Sequence, residues 1–347
     1  MSPPGTAEMR PATEPFVHPA LFYRGAEGYL AGTVPFIREG LTLGDPVAVA
    51  VPGPNLRLLR SALGASAAEV RLVDMTQAGR NPGRIIPGIL RGFADAHPHG
   101  RVRIIGEPIW PGRTENEYPA CVQHEALINL AFAGRAVTIL CPYDADRLHP
   151  RVLADAAATH PLLVDDEGER HSAEYAPERI RQAYDVPLPE AAGRPALLAF
   201  DDTNLGQARV LVVECARRAG LTDDRAMDVE LAVNEMAANS LAHGGGAGEL
   251  RIWRQDASLI CEVRDTGFIA DPLVGRRPVT PDMPGGRGVL LVNQLADLVR
   301  VHTRPGGTTI QAHFTVDQGP MPTPSQNGSS HRAGGGWRSA GSPPGHR

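Results

Sequence analysis

Apolar positions follow two different rhythms along the chain. Up to about residue 160, short apolar runs at 46–51 (PVAVAV), 71–74, 102–106 (VRIIG) and 137–141 (VTILC) alternate with amphipathic stretches at 25–40, 55–63, 84–96 and 116–133. Short strands separated by helices of about ten or more residues predict a parallel sheet covered on both faces. Past residue 196 the order changes. Helices are expected at 206–219 and from Thr222 onward, then strands at 249–254 and 259–264, a helix at 289–298, and strands at 299–303 and 308–314. The second of these strands reads LICEVR, an alternation that suits a sheet with one buried face.

The expected class is therefore α/β followed by α+β, in two domains at 16–160 and 196–316. Residues 1–15 contain four prolines and are expected to be disordered, as is the Gly-, Pro- and Ser-rich stretch 317–347. Residues 161–195 read as a connector with one short helix. At 1.5 Å per residue and broken by prolines, it cannot supply the two long helices of a kinase dimerisation hairpin. His160 and His171 are poor phospho-acceptors for that reason.

Composition narrows the chemistry. The net charge of -5 gives no global basic field for nucleic acid. Cys121, Cys141, Cys215 and Cys261 lie in apolar runs without CxxC spacing, as expected for reduced, buried thiols of a cytoplasmic protein. No signal peptide or membrane span is read. All 34 basic residues are arginine. The absence of lysine excludes a Walker-A loop, the common protein-kinase fold and a pyridoxal Schiff base.

Candidate chemistry in the first domain lies where strands end: Asp74, Glu107 and Asp144, with Trp110, Tyr118, Tyr143, His124 and Glu125 nearby in sequence. No two histidines show metal-ligand spacing on a clear helix or strand. In the second domain, Glu235, Asn239 and His243 recur every four residues and line one helical stripe. Val229, Val233, Met236 and Ala237 fall to the inward side, and Gly244-Gly245-Gly246 is expected to end the helix in the left-handed conformation. Asp265-Thr266-Gly267 follows a strand. There Asp265 can accept from an exocyclic amine, and Gly267 lets a ring approach the backbone. Residues 270–284 read as a long irregular lid. The lid closes on Gly285-Gly286-Arg287-Gly288, where glycines opening a helix present free amides to phosphate. Arg276, Arg277 and Arg287 are candidates to offset negative charge.

Two resemblances follow from these residues. His18, Tyr23, Gly106-Glu107-Pro108-Ile109-Trp110, Glu125, Asn129 and Cys141-Pro142-Tyr143-Asp144 resemble the MEDS domain, named for methanogens and methylotrophs. The resemblance implies a degenerate RecA-like parallel α/β/α sensor of an unknown small-molecule or protein signal. The order ExxxNxxxH, Asp-x-Gly, lid, Gly-x-Gly, then Gly-Thr-Thr over about 197–316 resembles the GHKL (Bergerat) ATPase superfamily, an α/β sandwich, and within it the anti-sigma-factor serine kinases.

The second resemblance implies Glu235 as general base and Asn239 as Mg²⁺ ligand. It implies Asp265 with Gly267 at the adenine amine, Gly286, Arg287 and Gly288 at the phosphates, Thr308 near the adenine end, and His243 in packing or lid contact. ATP and Mg²⁺ are the implied cofactors. A sigma factor and an anti-anti-sigma (STAS-type) protein are the implied partners, with no direct nucleic-acid or membrane binding and with homodimerisation left open. Ile269 stands where the family has its second glycine, and a β-branched residue there is expected to stiffen the lid's entry. The alternatives are an ATP-dependent partner-binding switch without phosphotransfer and an atypical sensor histidine kinase.

Overall fold

The computed structural model describes residues 16–278 and 286–316. The expected disordered ends at 1–15 and 317–347, and the 279–285 part of the lid, lie outside the described residues.

The first half of the chain builds a mostly parallel sheet. Its elements are β1 (Phe16–Val17), β2 (Pro19–Tyr23), α1 (Gly25–Leu43), β3 (Val47–Val51), α2 (Gly53–Leu63), β4 (Arg71–Asp74), α3 (Met75–Ala78), α4 (Arg91–Asp95), β5 (Val102–Gly106), α5 (Tyr118–Ala131), β6 (Val137–Asp144), α6 (Pro150–Thr159), β7 (Leu162–Asp165), β8 (Gly168–His171) and α7 (Pro177–Ala183). The strand order is β4-β3-β5-β6-β2-β7-β8, with β1 also pairing with β6. Only β8 runs antiparallel to its neighbour. All five residues of β3 are buried, as expected of a strand covered on both faces.

Three departures from the sequence reading have local causes. The single helix expected at 84–96 is a 3₁₀ turn at Pro82–Arg84, a π-helical segment at Ile85–Leu90 and then α4. Pro87 cannot donate to the preceding turn, and a wider turn accommodates its ring. Strands β1 and β2 have a weak pattern because each is short and Pro19 interrupts the run. Within residues 161–195, β7 adds to β2 in parallel and β8 turns back on it. The turn is made at Asp166-Glu167 and closes on Gly168, whose φ is +112°, and β8 is exposed throughout, so no alternation reveals it.

The second half builds an antiparallel sheet in the order β12-β13-β11-β10-β9. Its elements are β9 (Ala196–Asp201), α8 (Leu205–Ala219), α9 (Asp223–His243), β10 (Ala247–Gln255), β11 (Ser258–Asp265), α10 (Arg287–Leu295), β12 (Leu298–Arg304) and β13 (Gly307–Thr315). Val229, Val233, Met236 and Ala237 of α9 pack with Val212, Leu250, Cys261 and Ala312 in one core. The opposite face of the sheet is polar yet covered. The buried carboxylate of Glu262 accepts from Arg264 at 2.7 Å, Arg251 at 3.2 Å and Gln311 at 2.6 Å. No helix among the described residues is long and apolar enough to cross a membrane.

Candidate nucleotide site and its neighbours

Helix α9 positions the first group. Thr222 caps it, its hydroxyl accepting from the Arg225 amide at 3.3 Å, and Asp223 and Asp224 sit at its positive end. Glu235 and Asn239 are half-buried on one stripe, while His243, the last helical residue, is exposed. The glycine run ends the helix as expected, although Gly244 itself, with φ −98°, is not left-handed. Positive φ values of +96° and +83° come at Gly245 and Gly246. Gly244 is needed for closeness instead, because a Cβ there would run into the Asp265 carboxylate.

The second group gathers on Asp265, the last residue of β11, which lies opposite Thr308 of β13. Its Oδ2 accepts from Ser240 Oγ at 2.6 Å, one turn of α9 below His243, and its Oδ1 accepts from the Gly267 amide at 2.8 Å. A Cβ on Gly267 would lie 2.6 Å from the His243 carbonyl oxygen. Buried Thr308 donates to the Gly267 carbonyl at 2.9 Å, and its hydroxyl is 2.8 Å from that of Thr303. Thr303 in turn accepts from the Ile269 amide at 3.0 Å. Ile269 has no positive φ and packs on the domain core. Its β-branched side chain therefore causes no left-handed strain at the position where the family has glycine.

The third group opens α10. Gly286 takes φ +75° and Gly288 follows one residue into the helix. A Cβ on Gly288 would meet Glu235 Oε2 at 2.8 Å and Asn239 Nδ2 at 3.0 Å. Asn239 Nδ2 is buried and has no hydrogen-bond partner among the described residues. A helix N-terminus, a carboxylate and an unpaired carboxamide thus face one another. This donor set fits a magnesium-bound phosphate chain: the amides suit the anion and the side-chain oxygens suit the cation. Arg287 is exposed at the helix start.

Two of the three arginines expected near phosphate are engaged elsewhere. Arg276 is buried and donates to the Pro82 carbonyl at 3.1 Å, and Arg277 pairs with Asp271 at 2.8 Å. A cleft of about 150 Å³ opens beside this loop, lined by Ile269, Pro272, Val274 and Val301 with Gln123 and Leu127 of α5. Glu235 and Asn239 do not line it.

Contacts from the parallel-sheet half grip the far end of α10, and no sequence signal announced them. Fully buried Asn81 donates to the Asn293 carbonyl at 2.9 Å. Arg84 donates to the carbonyls of Asn293 at 2.8 Å and Ala296 at 2.7 Å. These are the free carbonyls of the last helical turn, where a cation also meets the negative end of the helix.

At the strand ends of the parallel sheet the three acids differ. Asp74 caps α3, accepting from the Thr76 amide at 2.9 Å, and Asp144 accepts from the amides of Asp146 and Arg147 at 3.1 Å, so both serve turns. Glu107 is buried and holds Asn55 Nδ2 at 2.8 Å. Burial pushes its carboxyl up to about 8, with the Asn55 contact opposing and the Asp144 charge adding.

Residues 17–161 match the family model of the MEDS (methanogen/methylotroph, DcmR sensory) domain, and residues 198–314 match the histidine kinase-like ATPase domain. No curated protein matches the sequence. Among solved structures, the RsbU and RsbW domains of a Mycobacterium tuberculosis protein share 17% identity at a TM-score of 0.28, over 36% of this chain and 33% of that one. The chain thus spans a third of that structure's length. The SiaB–SiaC complex of Pseudomonas aeruginosa shares 13% identity at a TM-score of 0.28, over 40% of this chain and 96% of that one. The Acinetobacter baumannii histidine kinase AdeS shares 14% at 0.21, over 36% and 70%.

Proposed function

The chain joins a MEDS domain to a histidine kinase-like ATPase domain, and from that premise we propose that it is an anti-sigma regulator. In this reading the ATPase domain binds a sigma factor and phosphorylates a serine of an anti-anti-sigma (STAS-type) protein. The MEDS domain, read as RecA-like, controls it.

One observation carries the proposal. Gly288 at the start of α10 lies against both Glu235 and Asn239, while Asp265 is tied to the last turn of the same α9 through Ser240. Three separate stretches of chain therefore meet along α9, which supports reading them as one site. Mg-ATP supplies the transferable phosphoryl group when bound. The residues divide the remaining tasks. Asn239 would hold the metal through its side-chain oxygen. Gly286 and Gly288 expose amides toward phosphate, and Arg287 at the same helix start adds positive charge. Asp265 accepts the adenine amine, Gly267 leaves room for the ring, and Thr308 fixes the Gly267 carbonyl beside it. Glu235 takes the proton of the attacking serine hydroxyl. His243, exposed at the helix end, contributes its carbonyl to the packing around Gly267.

Control by the MEDS domain is supported by the grip of Asn81 and Arg84 on the end of α10 opposite the phosphate site. The buried contact of Arg276 with Pro82 ties the root of the lid to the same segment.

Glu235→Gln tests the catalytic part. ATP affinity should stay within about threefold, while phosphotransfer to the serine partner falls by about 10²-fold or more. Equal loss of binding and transfer would make Glu235 a structural residue. Tight ATP binding by the wild type with no transfer to any serine would favour the non-catalytic switch. Label on a histidine of the chain itself would favour the sensor-kinase reading.

A further inference from the structure

Four potential metal ligands converge inside the MEDS domain. His18 lies between β1 and β2, Glu125 on α5, Cys141 in β6 and His160 at the end of α6. All four are at most 1% exposed. One ligand atom from each lies within 4.8 Å of the others. Glu125 Oε2 is 3.5 Å from Nε2 of both His18 and His160, and Cys141 Sγ is 3.5 Å from His18 Nε2 and 3.6 Å from Glu125 Oε2.

These separations are too long for strong hydrogen bonds between oxygen and nitrogen. These four of the six separations match the edges of a metal tetrahedron instead, and the remaining two lie within 4.8 Å. Bonds of about 2.0–2.2 Å to nitrogen and oxygen and about 2.3 Å to sulfur give ligand–ligand edges of about 3.3–3.6 Å.

The orientation of the two imidazoles is fixed from outside the cluster. His18 Nδ1 is 3.1 Å from the Asn129 side-chain oxygen, and the Asn129 amide is itself held in place by donating to the Thr159 carbonyl at 2.8 Å. His160 Nδ1 is 2.8 Å from the Ala156 carbonyl. Each Nδ1 faces an acceptor and so carries the ring proton, which leaves an Nε2 lone pair aimed inward. Two lone pairs, a carboxylate and a sulfur then face one another in a dry interior. Glu125 Oε1 and His160 Nε2 have no hydrogen-bond partner among the described residues. A buried anion surrounded by lone pairs is costly unless a cation sits between them.

We propose that His18, Glu125, Cys141 and His160 bind one divalent transition-metal ion of borderline softness, with Zn²⁺ the best fit to a nitrogen–oxygen–sulfur set. Binding releases the Cys141 proton to solvent. The resulting thiolate and the Glu125 carboxylate balance the two positive charges, and both imidazoles bind neutral. Four protein ligands complete the tetrahedron, so the ion has no open position for a substrate and joins α5, α6, β6 and the start of β2.

The test uses the full chain without a histidine tag, produced in Zn²⁺-supplemented medium and, separately, in Co²⁺-supplemented medium. About one equivalent of metal should co-purify. The Co²⁺ form should show tetrahedral ligand-field bands with a sulfur-to-cobalt charge-transfer band, and Cys141→Ser should lose that band while keeping ATP affinity. X-ray absorption on the wild-type Zn²⁺ form gives a reading independent of any variant: about one sulfur and three nitrogen or oxygen neighbours. Folded wild-type chain without stoichiometric metal, a Co²⁺ spectrum unchanged in Cys141→Ser, or a zinc shell without sulfur would each overturn the proposal.

Discussion

The two halves of the molecule handle polar side chains in opposite ways. In the ATPase half, the candidate groups ride on short local patterns and stay partly open to solvent. Glu235 and Asn239 are half-buried, and Gly288, which lies against them, stands at a helix start. In the MEDS half, His18, Glu125, Cys141 and His160 are sealed inside, and residues as far apart as 18 and 160 supply one cluster. Glu235 is partly open to water, while Asn239 Nδ2 is buried without a partner among the described residues. A sealed cluster has no access to water, so its charges must be balanced from within or by a captured ion. Glu107 follows a third course: burial pushes its carboxyl up to about 8, so it is mostly neutral near pH 7.

The largest expected effect that sharpens this contrast concerns Glu107. Its carboxyl titrates higher in the folded chain than at its ordinary value of 4.5. The folded state therefore keeps a proton that the unfolded state gives up. The stabilising contribution is complete below about pH 4.5 and is lost as pH rises through about 8, a difference of a few kcal/mol. Glu107→Gln keeps the volume and the Asn55 contact but removes the titration. Urea unfolding at pH 5 and pH 8 should show the variant gaining on the wild type at the higher pH. Parallel stability curves would mean that Glu107 is ionised in the folded chain.

Asp265→Asn probes the open site. The carboxylate accepts from Ser240 and from the Gly267 amide, and the amide side chain loses one acceptor and the charge. ATP affinity should fall about tenfold or more, with the thermal midpoint less affected. Unchanged affinity by calorimetry would remove Asp265 from the adenine pocket.

The smallest effect joins the two halves. Arg84→Ala frees the carbonyls of Asn293 and Ala296 at the end of α10. ATP affinity should weaken by about fivefold, a typical coupling between sites. An affinity identical to wild type would mean that the grip is only packing.

Much of the ATPase half was legible because its signals are local. A four-residue polar period, a capped helix, an alternating strand and a Gly-x-Gly before a helix each depend on a few neighbouring residues. The stripe of α9 appeared with its predicted inward face of Val229, Val233, Met236 and Ala237 buried. The reading failed where proline and glycine left the local pattern ambiguous, as at 82–95. It also failed where an edge strand is exposed on every side, as at β8. Arg276 looked like a phosphate ligand from its place in a basic, irregular loop, yet it is buried against Pro82.

The sequence by itself determined the mixed α/β class and the parallel and antiparallel rhythms of the two sheets, because helix and strand periods are properties of consecutive residues. Only the tertiary structure decided that Gly288 meets Glu235, that Asn81 and Arg84 grip α10, and that two histidines, a glutamate and a cysteine from four separate elements point at one another. Those facts depend on strand order and helix packing. Both bring together residues as far apart as Asn81 and Asn293, and no local period along the chain encodes such a meeting.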